Sequence, residues 1–141
     1  NATEGTFVTR QTRQSTAIAD GAVIEINDGS GANRISFATG ASGTVLNPFV
    51  IVSNVAQATL TQAVGTVVNI NSISMAYKAN DFAACANGAV AVVDTAGAVP
   101  AVTTLRVGDV SSNNSTWNGW ISSLSYYPRR LPNGTLQGLS T

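Results

Sequence analysis

Asp109, Asn113, Asn114, Trp117 and Asn118 fall within the ten-residue stretch D-V-S-S-N-N-S-T-W-N, residues 109–118, and together they supply the side chains that a sugar-binding site uses. An indole offers a flat apolar surface to the apolar face of a pyranose ring, and amides and a carboxylate exchange hydrogen bonds with its hydroxyls. Polar loops held by a rigid scaffold are where such chemistry concentrates. The same stretch also reads as a solvated connection whose Trp117 folds back to plug the end of a sandwich. Asp109 and neighbouring carbonyls are hard oxygen ligands suited to calcium, but one carboxylate falls short of a calcium site, and no cofactor is expected.

Catalytic chemistry finds less support. The chain has no histidine, which removes Ser-His-Asp and Cys-His hydrolases and leaves no Cys/His cluster for zinc. Glycoside hydrolysis needs two carboxyl groups roughly 5–9.5 Å apart. Glu4, Asp20, Glu25, Asp28, Asp81, Asp94 and Asp109 are instead scattered singly along the chain, and Asp28, Asp81 and Asp94 occupy positions where aspartate favours turns. The expectation is a protein that is not an enzyme. Arg129 and Arg130 are adjacent without a wider basic patch, which assigns them to carbonyls or to a carboxylate such as Asp20, Glu25 or Asp28 rather than to an acidic ligand.

The elements that must position these groups are strands almost throughout. Ala22, Ile24 and Ile26 alternate with Val23, Glu25 and Asn27, and D-G-S-G at residues 28–31 turns the chain before Ile35 and Phe37 resume the period of two. Beyond Asn47-Pro48, residues 49–52, 55–60 and 64–70 are rich in β-branched residues without helical spacing. Ile73, Met75 and Tyr77 share one face of the next strand, and Ser72, Ser74 and Lys78 the other. Asn87-Gly88 predicts a type I′ turn that pairs residues 82–86 directly with 89–93. The small Ala and Val side chains of that hairpin fit an ordinary sandwich face. A further strand covers residues 104–108, and Trp120, Ser122, Leu124 and Tyr126 alternate along the last one, which assigns Trp120 to the core and inserts Tyr126 into the sandwich until Pro128 ends the ladder. About ten short strands with near-regular turns make an all-β, antiparallel two-sheet β-sandwich.

Composition is consistent with one domain. The 141 residues suffice to bury roughly two-thirds of the unfolded surface in one core. Seven acids balance seven bases, so no global field attracts nucleic acid, and no run approaches the ~18 apolar residues of a membrane span, so neither nucleic acid nor membrane insertion is expected. Cys85 stands alone and reads as a buried structural thiol. The opening N-A-T-E-G reads as a cut through a longer polypeptide, making this an excised or C-terminal domain. Asn-x-Ser/Thr matches at Asn1, Asn113, Asn114 and Asn133 are expected by chance in a chain this rich in those residues.

Three segments carry a family resemblance: I-S-M-A-Y-K-A-N-D-F-A-A-C-A-N-G-A-V-A-V-V-D-T at residues 73–95, L-R-V-G at 105–108 and W-N-G-W-I-S-S-L-S-Y-Y-P-R-R-L at 117–131. In order and spacing they resemble the laminin-G-like, concanavalin A-like jelly-roll domains at the C-termini of phage tail-fibre and related virion proteins, and T-E-G-T-F-V at residues 3–8 looks like the first strand of such domains. The resemblance implies a jelly roll on an external virion appendage, often carbohydrate-binding, with a bacterial surface polysaccharide and other virion proteins as partners and a homotrimer as the favoured assembly. Its function is then host recognition without catalysis, or alternatively a structural role in fibre trimerisation, capsid decoration or capping. The tail departs from the pattern: Pro132-Asn133-Gly134-Thr135 stands where a Ser/Asn start and an acidic helix former are usual, and Gly134 and Gly138 weaken a helix, so at most one short C-terminal helical turn is expected.

Overall fold

The computed structural model describes residues 3–14, 21–39, 44–65, 71–111 and 116–141. Two five-stranded antiparallel sheets face one another. The first contains β1 (Glu4–Arg13), β8 (Ser72–Lys78), β9 (Phe82–Ala86), β10 (Val92–Asp94) and β12 (Gly119–Tyr127), in the order β10-β9-β8-β1-β12. The second contains β2 (Ala22–Asn27), β3 (Arg34–Ala38), β5 (Phe49–Val52), β6 (Val55–Thr59) and β11 (Thr104–Val107), in the order β11-β2-β3-β5-β6. A two-stranded ladder of β4 (Val45–Leu46) and β7 (Gln62–Ala63) completes the described strands. The sandwich read from the alternation is therefore the architecture observed. The 64–70 strand is the exception: Val64 and Gly65 lie beyond the end of β7, and residues 66–70 fall outside the described residues.

The core lies between the sheets and follows the period of two. Phe7, Ile73, Met75, Tyr77, Phe82 and Ala84 from the first sheet meet Ile24, Ile26, Ile35, Phe37 and Val50 from the second. Phe7 is the hub, edge-on to Phe37 at 6.2 Å and close to Tyr126 at 4.7 Å between ring centroids. The β2–β3 hairpin forms as its sequence requires, with the Asp28 carboxylate accepting from the Ser30 amide at 2.9 Å and the Asn33 side chain at 2.8 Å to close the turn. Those bonds, led by the Ser30 hydroxyl, hold the exposed Asp28 carboxyl below its ordinary pKa.

Part of the opposite face of the first sheet is covered by α1 (Asn133–Leu139), which packs on the small side chains of β8 and β9. Ala76, Ala83, Cys85, Leu131 and Leu136 make this second apolar cluster, and the Ser74 hydroxyl donates to the Leu136 carbonyl at 3.0 Å. The Ala-rich hairpin is thus small because a helix lies on it. The helix runs for seven residues, about two turns, where its glycines suggested one. Burial of Leu136 outweighs the low propensity of Gly134 and Gly138, as tertiary packing usually does in short helices. Cys85 is buried here, and desolvation raises its thiol pKa, which fits the structural role expected.

Two registers differ from the sequence reading. Asn87 and Gly88 do take left-handed backbone at φ 49° and 72°, and the Ala89 amide closes the turn on Ala86. Pairing resumes only at Val92, opposite Ala84, so the hairpin is offset by one residue from the direct 82–86/89–93 match. On β12 the break lies at Ser122: Arg10 opposes Ser123 and Gln11 opposes Ile121, leaving Ser122 as the extra residue of a bulge whose hydroxyl donates to the Arg10 carbonyl. A bulge shifts the side-chain period by one. Ile121 and Leu124, three apart, therefore both pack against the core, and Trp120 turns outward with 61% of its surface exposed. The assignment of Trp120 to the core is corrected by this bulge. Tyr126 does face Phe7 but sits at the open margin, 41% exposed.

Arg130 is structural: its Nη1 donates to the Leu131 carbonyl at 2.6 Å, a carbonyl as expected, but its carboxylate partner is not one of those named. Arg130 reaches Asp81 at 2.8 Å, its amide donates to Glu4, and the Arg129 carbonyl accepts from the Thr6 hydroxyl. Glu25 and Asp28 are occupied elsewhere, and Asp20 lies outside the described residues.

Gly119 fixes where β12 begins. A Cβ there would lie 1.9 Å from the Thr12 carbonyl oxygen and 2.8 Å from the Arg13 Cα, both backbone atoms with no freedom to yield. Gly119→Ala is expected to pry apart the Arg13 end of the β1–β12 ladder and to cost about 1–3 kcal/mol. Denaturant unfolding matching the parent midpoint would refute this.

Candidate functional site

The outer face of the second sheet carries polar side chains that the period of two turns away from Ile24, Ile26, Ile35 and Phe37. One rung runs Arg106, Glu25, Ser36, Phe49, and the next runs Thr104, Asn27, Arg34, Ile51. A solvent face would leave such groups wet, yet Glu25, Asn27 and Ser36 are at most 1% exposed. Their cover includes a loop that leaves the sheet after β11. Its neck is closed by the Trp117 amide donating to the Gly108 carbonyl at 2.9 Å, with Gly108 tied to Val23 at 2.8 Å. Gly108 takes φ 75°, a left-handed value that favours glycine. Ser111 then brings its amide to the Glu25 carboxylate at 2.9 Å, drawing the loop onto the sheet.

Glu25 is the centre of the arrangement. Its Oε1 accepts from the Asn27 amide at 2.8 Å and from Ser111, and its Oε2 lies 3.8 Å from Arg34 Nε, an ion pair too long for a hydrogen bond. Arg34 donates through Nη1 to the Gly31 carbonyl and lies over the Phe49 ring at 5.2 Å. On the far side Arg106 pairs with Asp109 at 3.5 Å. Five atoms of this cluster are buried and lack a hydrogen-bond partner: the hydroxyls of Ser36 and Ser111, Nε of Arg34 and Arg106, and Oδ1 of Asp109. Unfilled donors and acceptors spread along these rungs, with Arg34 and Ser36 next to Phe49, are groups that a polyhydroxylated ligand can engage.

The residues singled out from sequence separate on the structure. Asp109 sits at the lip of this cluster. Asn113 and Asn114 lie outside the described residues. Asn118 accepts a backbone bond from Gln14 at 2.9 Å and extends the β1–β12 ladder. Trp117 is only 8% exposed, belongs to the main core and takes the Arg13 guanidinium over its ring at 5.3 Å. Its indole is therefore the plug of the alternative reading and offers no open stacking face. Sequence reasoning missed Glu25, Asn27, Arg34, Ser36, Phe49 and Arg106. Glu25 and Asn27 between Ile24 and Ile26 gave the same alternation that a plain solvent face gives, and only the folding of the loop distinguishes the two. Among the described residues no group of three or more His, Cys, Asp or Glu gathers as a metal site, and the Asp109 carboxylate faces a guanidinium.

No protein-family model matches the chain, and no curated protein matches it in sequence. Its fold does match solved structures. The CBM40 module of a Ruminococcus gnavus IT-sialidase, bound to α2,6-sialyllactose, is 15% identical, with 99% of this chain and 84% of that one covered at a TM-score of 0.76. A native heptameric SAP-like pentraxin from Limulus polyphemus is 13% identical, covering 99% and 70% at 0.71. Mouse laminin α1 domains LG4-5 are 7% identical, covering 94% and 37% at 0.65. At these identities the likeness establishes the fold, the concanavalin A-like jelly roll.

Proposed function

We propose that this domain is a non-catalytic carbohydrate-binding module that holds its ligand on the outer face of the second sheet, between Arg34, Ser36, Arg106, Asp109 and Ser111. The observation that carries the reading is the buried Glu25 carboxylate flanked by two arginines, with five polar atoms around it that make no hydrogen bond. The match to a module solved with a sialylated sugar supports a glycan as the ligand class. The setting on an external virion appendage, with a bacterial surface polysaccharide as target, rests on the sequence resemblance of residues 73–95 and 117–131 to fibre domains.

A glycan array tests the reading. The domain is expected to bind a subset of printed glycans, and Arg34→Ala is expected to weaken that binding by about tenfold or more, equivalent to roughly 1.4 kcal/mol. Trp120→Ala, on the other sheet, leaves it unchanged. Equal binding by Arg34→Ala would move the site elsewhere.

A second reading, a structural module in an oligomer, has one observation in its favour. The free edge strands β11 and β12 bring Leu105, Val107, Trp120 and Tyr126 to the surface, each at least 41% exposed. Leu105 and Tyr126 line a cleft of about 230 Å³ between the sheets together with Phe7 and Val102. Apolar groups concentrated on unpaired edges suit contact with another chain, and a trimer is the assembly this reading favours.

A further inference from the structure

The charge balance of the outer-face cluster carries the ligand class further, on the footing of the carbohydrate reading above. Both guanidiniums there already face a carboxylate: Arg34 faces Glu25 at 3.8 Å and Arg106 faces Asp109 at 3.5 Å. Glu25 is 1% exposed, so its charge is not diluted by solvent. Two cations against two acids in the cluster leave no positive excess to meet a carboxylate on a sugar.

We infer that the site selects a neutral, hydroxyl-rich glycan and discriminates against sialylated or uronic acid sugars. What remains unmet in the cluster is hydrogen-bonding capacity of both kinds, held just beneath the surface. Arg34 Nε and Arg106 Nε are donors, Asp109 Oδ1 is an acceptor, and the hydroxyls of Ser36 and Ser111 serve as either. Adjacent sugar hydroxyls each donate and accept, so they satisfy such a mixed set, whereas a carboxylate only accepts and brings a charge toward Asp109 and Glu25. Like charges brought together where water is partly excluded are strongly disfavoured.

Matched pairs of neutral and sialylated glycans on one array provide the test. Neutral members are expected to bind at least about tenfold more tightly than their acidic partners, and raising NaCl from about 0.05 to 0.5 M should change neutral binding less than about twofold. Asp109→Asn releases Arg106 from its counter-charge and is expected to narrow or reverse the preference while the fold persists, because the Asp109 side chain is one-third exposed. Preferential capture of acidic glycans by the parent domain, or an unchanged preference in Asp109→Asn, would overturn this inference and leave the carbohydrate reading standing. Absence of binding to every sugar on the array would remove both.

Discussion

Trp117→Ala is expected to lower the stability of this domain by about 3–5 kcal/mol, while Trp120→Ala, three residues on, changes it by less than about 0.5 kcal/mol. Trp117 belongs to the core and supports the buried Arg13, whose Nη1 donates to Thr39 at 2.6 Å. Removing the indole leaves a cavity and strips a buried cation of its aromatic partner, a change that surrounding strands cannot fill. Trp120 has most of its surface in water and loses little on truncation. For a chain of this length each kcal/mol moves the melting temperature by roughly 2–4 °C, so thermal melts followed by circular dichroism separate the two variants by about 5–20 °C. Equal melting temperatures would show that the bulge at Ser122 does not set the facing of these residues.

Glu25→Ala is the second large effect. The carboxylate receives the Ser111 amide and the Asn27 side chain and balances Arg34, so its loss strands three groups in a dry site. Leaving buried partners unsatisfied costs about 1–3 kcal/mol for a neutral group and more where a charge is involved; because Arg34 is about a quarter exposed, about 2–4 kcal/mol in total is expected. Glu25→Gln keeps an acceptor for Ser111 and Asn27 and is expected to lose about 1 kcal/mol. Glu25→Ala should lose glycan binding, since the loop from Asp109 is held down through this residue, and Glu25→Gln should keep the loop in place yet bind more weakly, because Arg34 loses its counter-charge. Melting and array binding of the two together decide the matter: wild-type binding in Glu25→Gln would show that the carboxylate shapes the loop without serving the ligand.

The β2–β3 hairpin and the two faces of β8 could be read directly from the chain because each is written in local alternation, and local alternation is what one buried face demands. Trp120 could not, since a single extra residue at Ser122 reverses facing without altering composition, and only the ladder to Arg10 and Gln11 exposes it. The candidate site was legible in one part. The polar stretch 109–118 reads as loop chemistry and Asp109 does stand at the cluster, but Ser111 acts by bringing its amide onto Glu25 of the sheet beneath. Glu25 and Arg34 share the β2–β3 hairpin, but Arg106 follows them by some seventy residues, and nothing in its spacing reveals that β11 lays it beside Glu25. The two turns of α1 were hidden for a related reason: the small side chains of β9 that accept Leu136 precede it by some fifty residues.

The bulge at Ser122 also has an optical consequence. It leaves the chain's two indoles in opposite settings, one dry beneath a guanidinium and one wet on the sheet's far side. Excited at one wavelength, the native protein should emit as a blue component resistant to acrylamide and a red component that acrylamide quenches, with only the blue one vanishing from its place as the sandwich opens. The molecule thus carries its own label for core integrity, and the second emitter, remote from the proposed sugar face, serves as an internal standard during ligand titration.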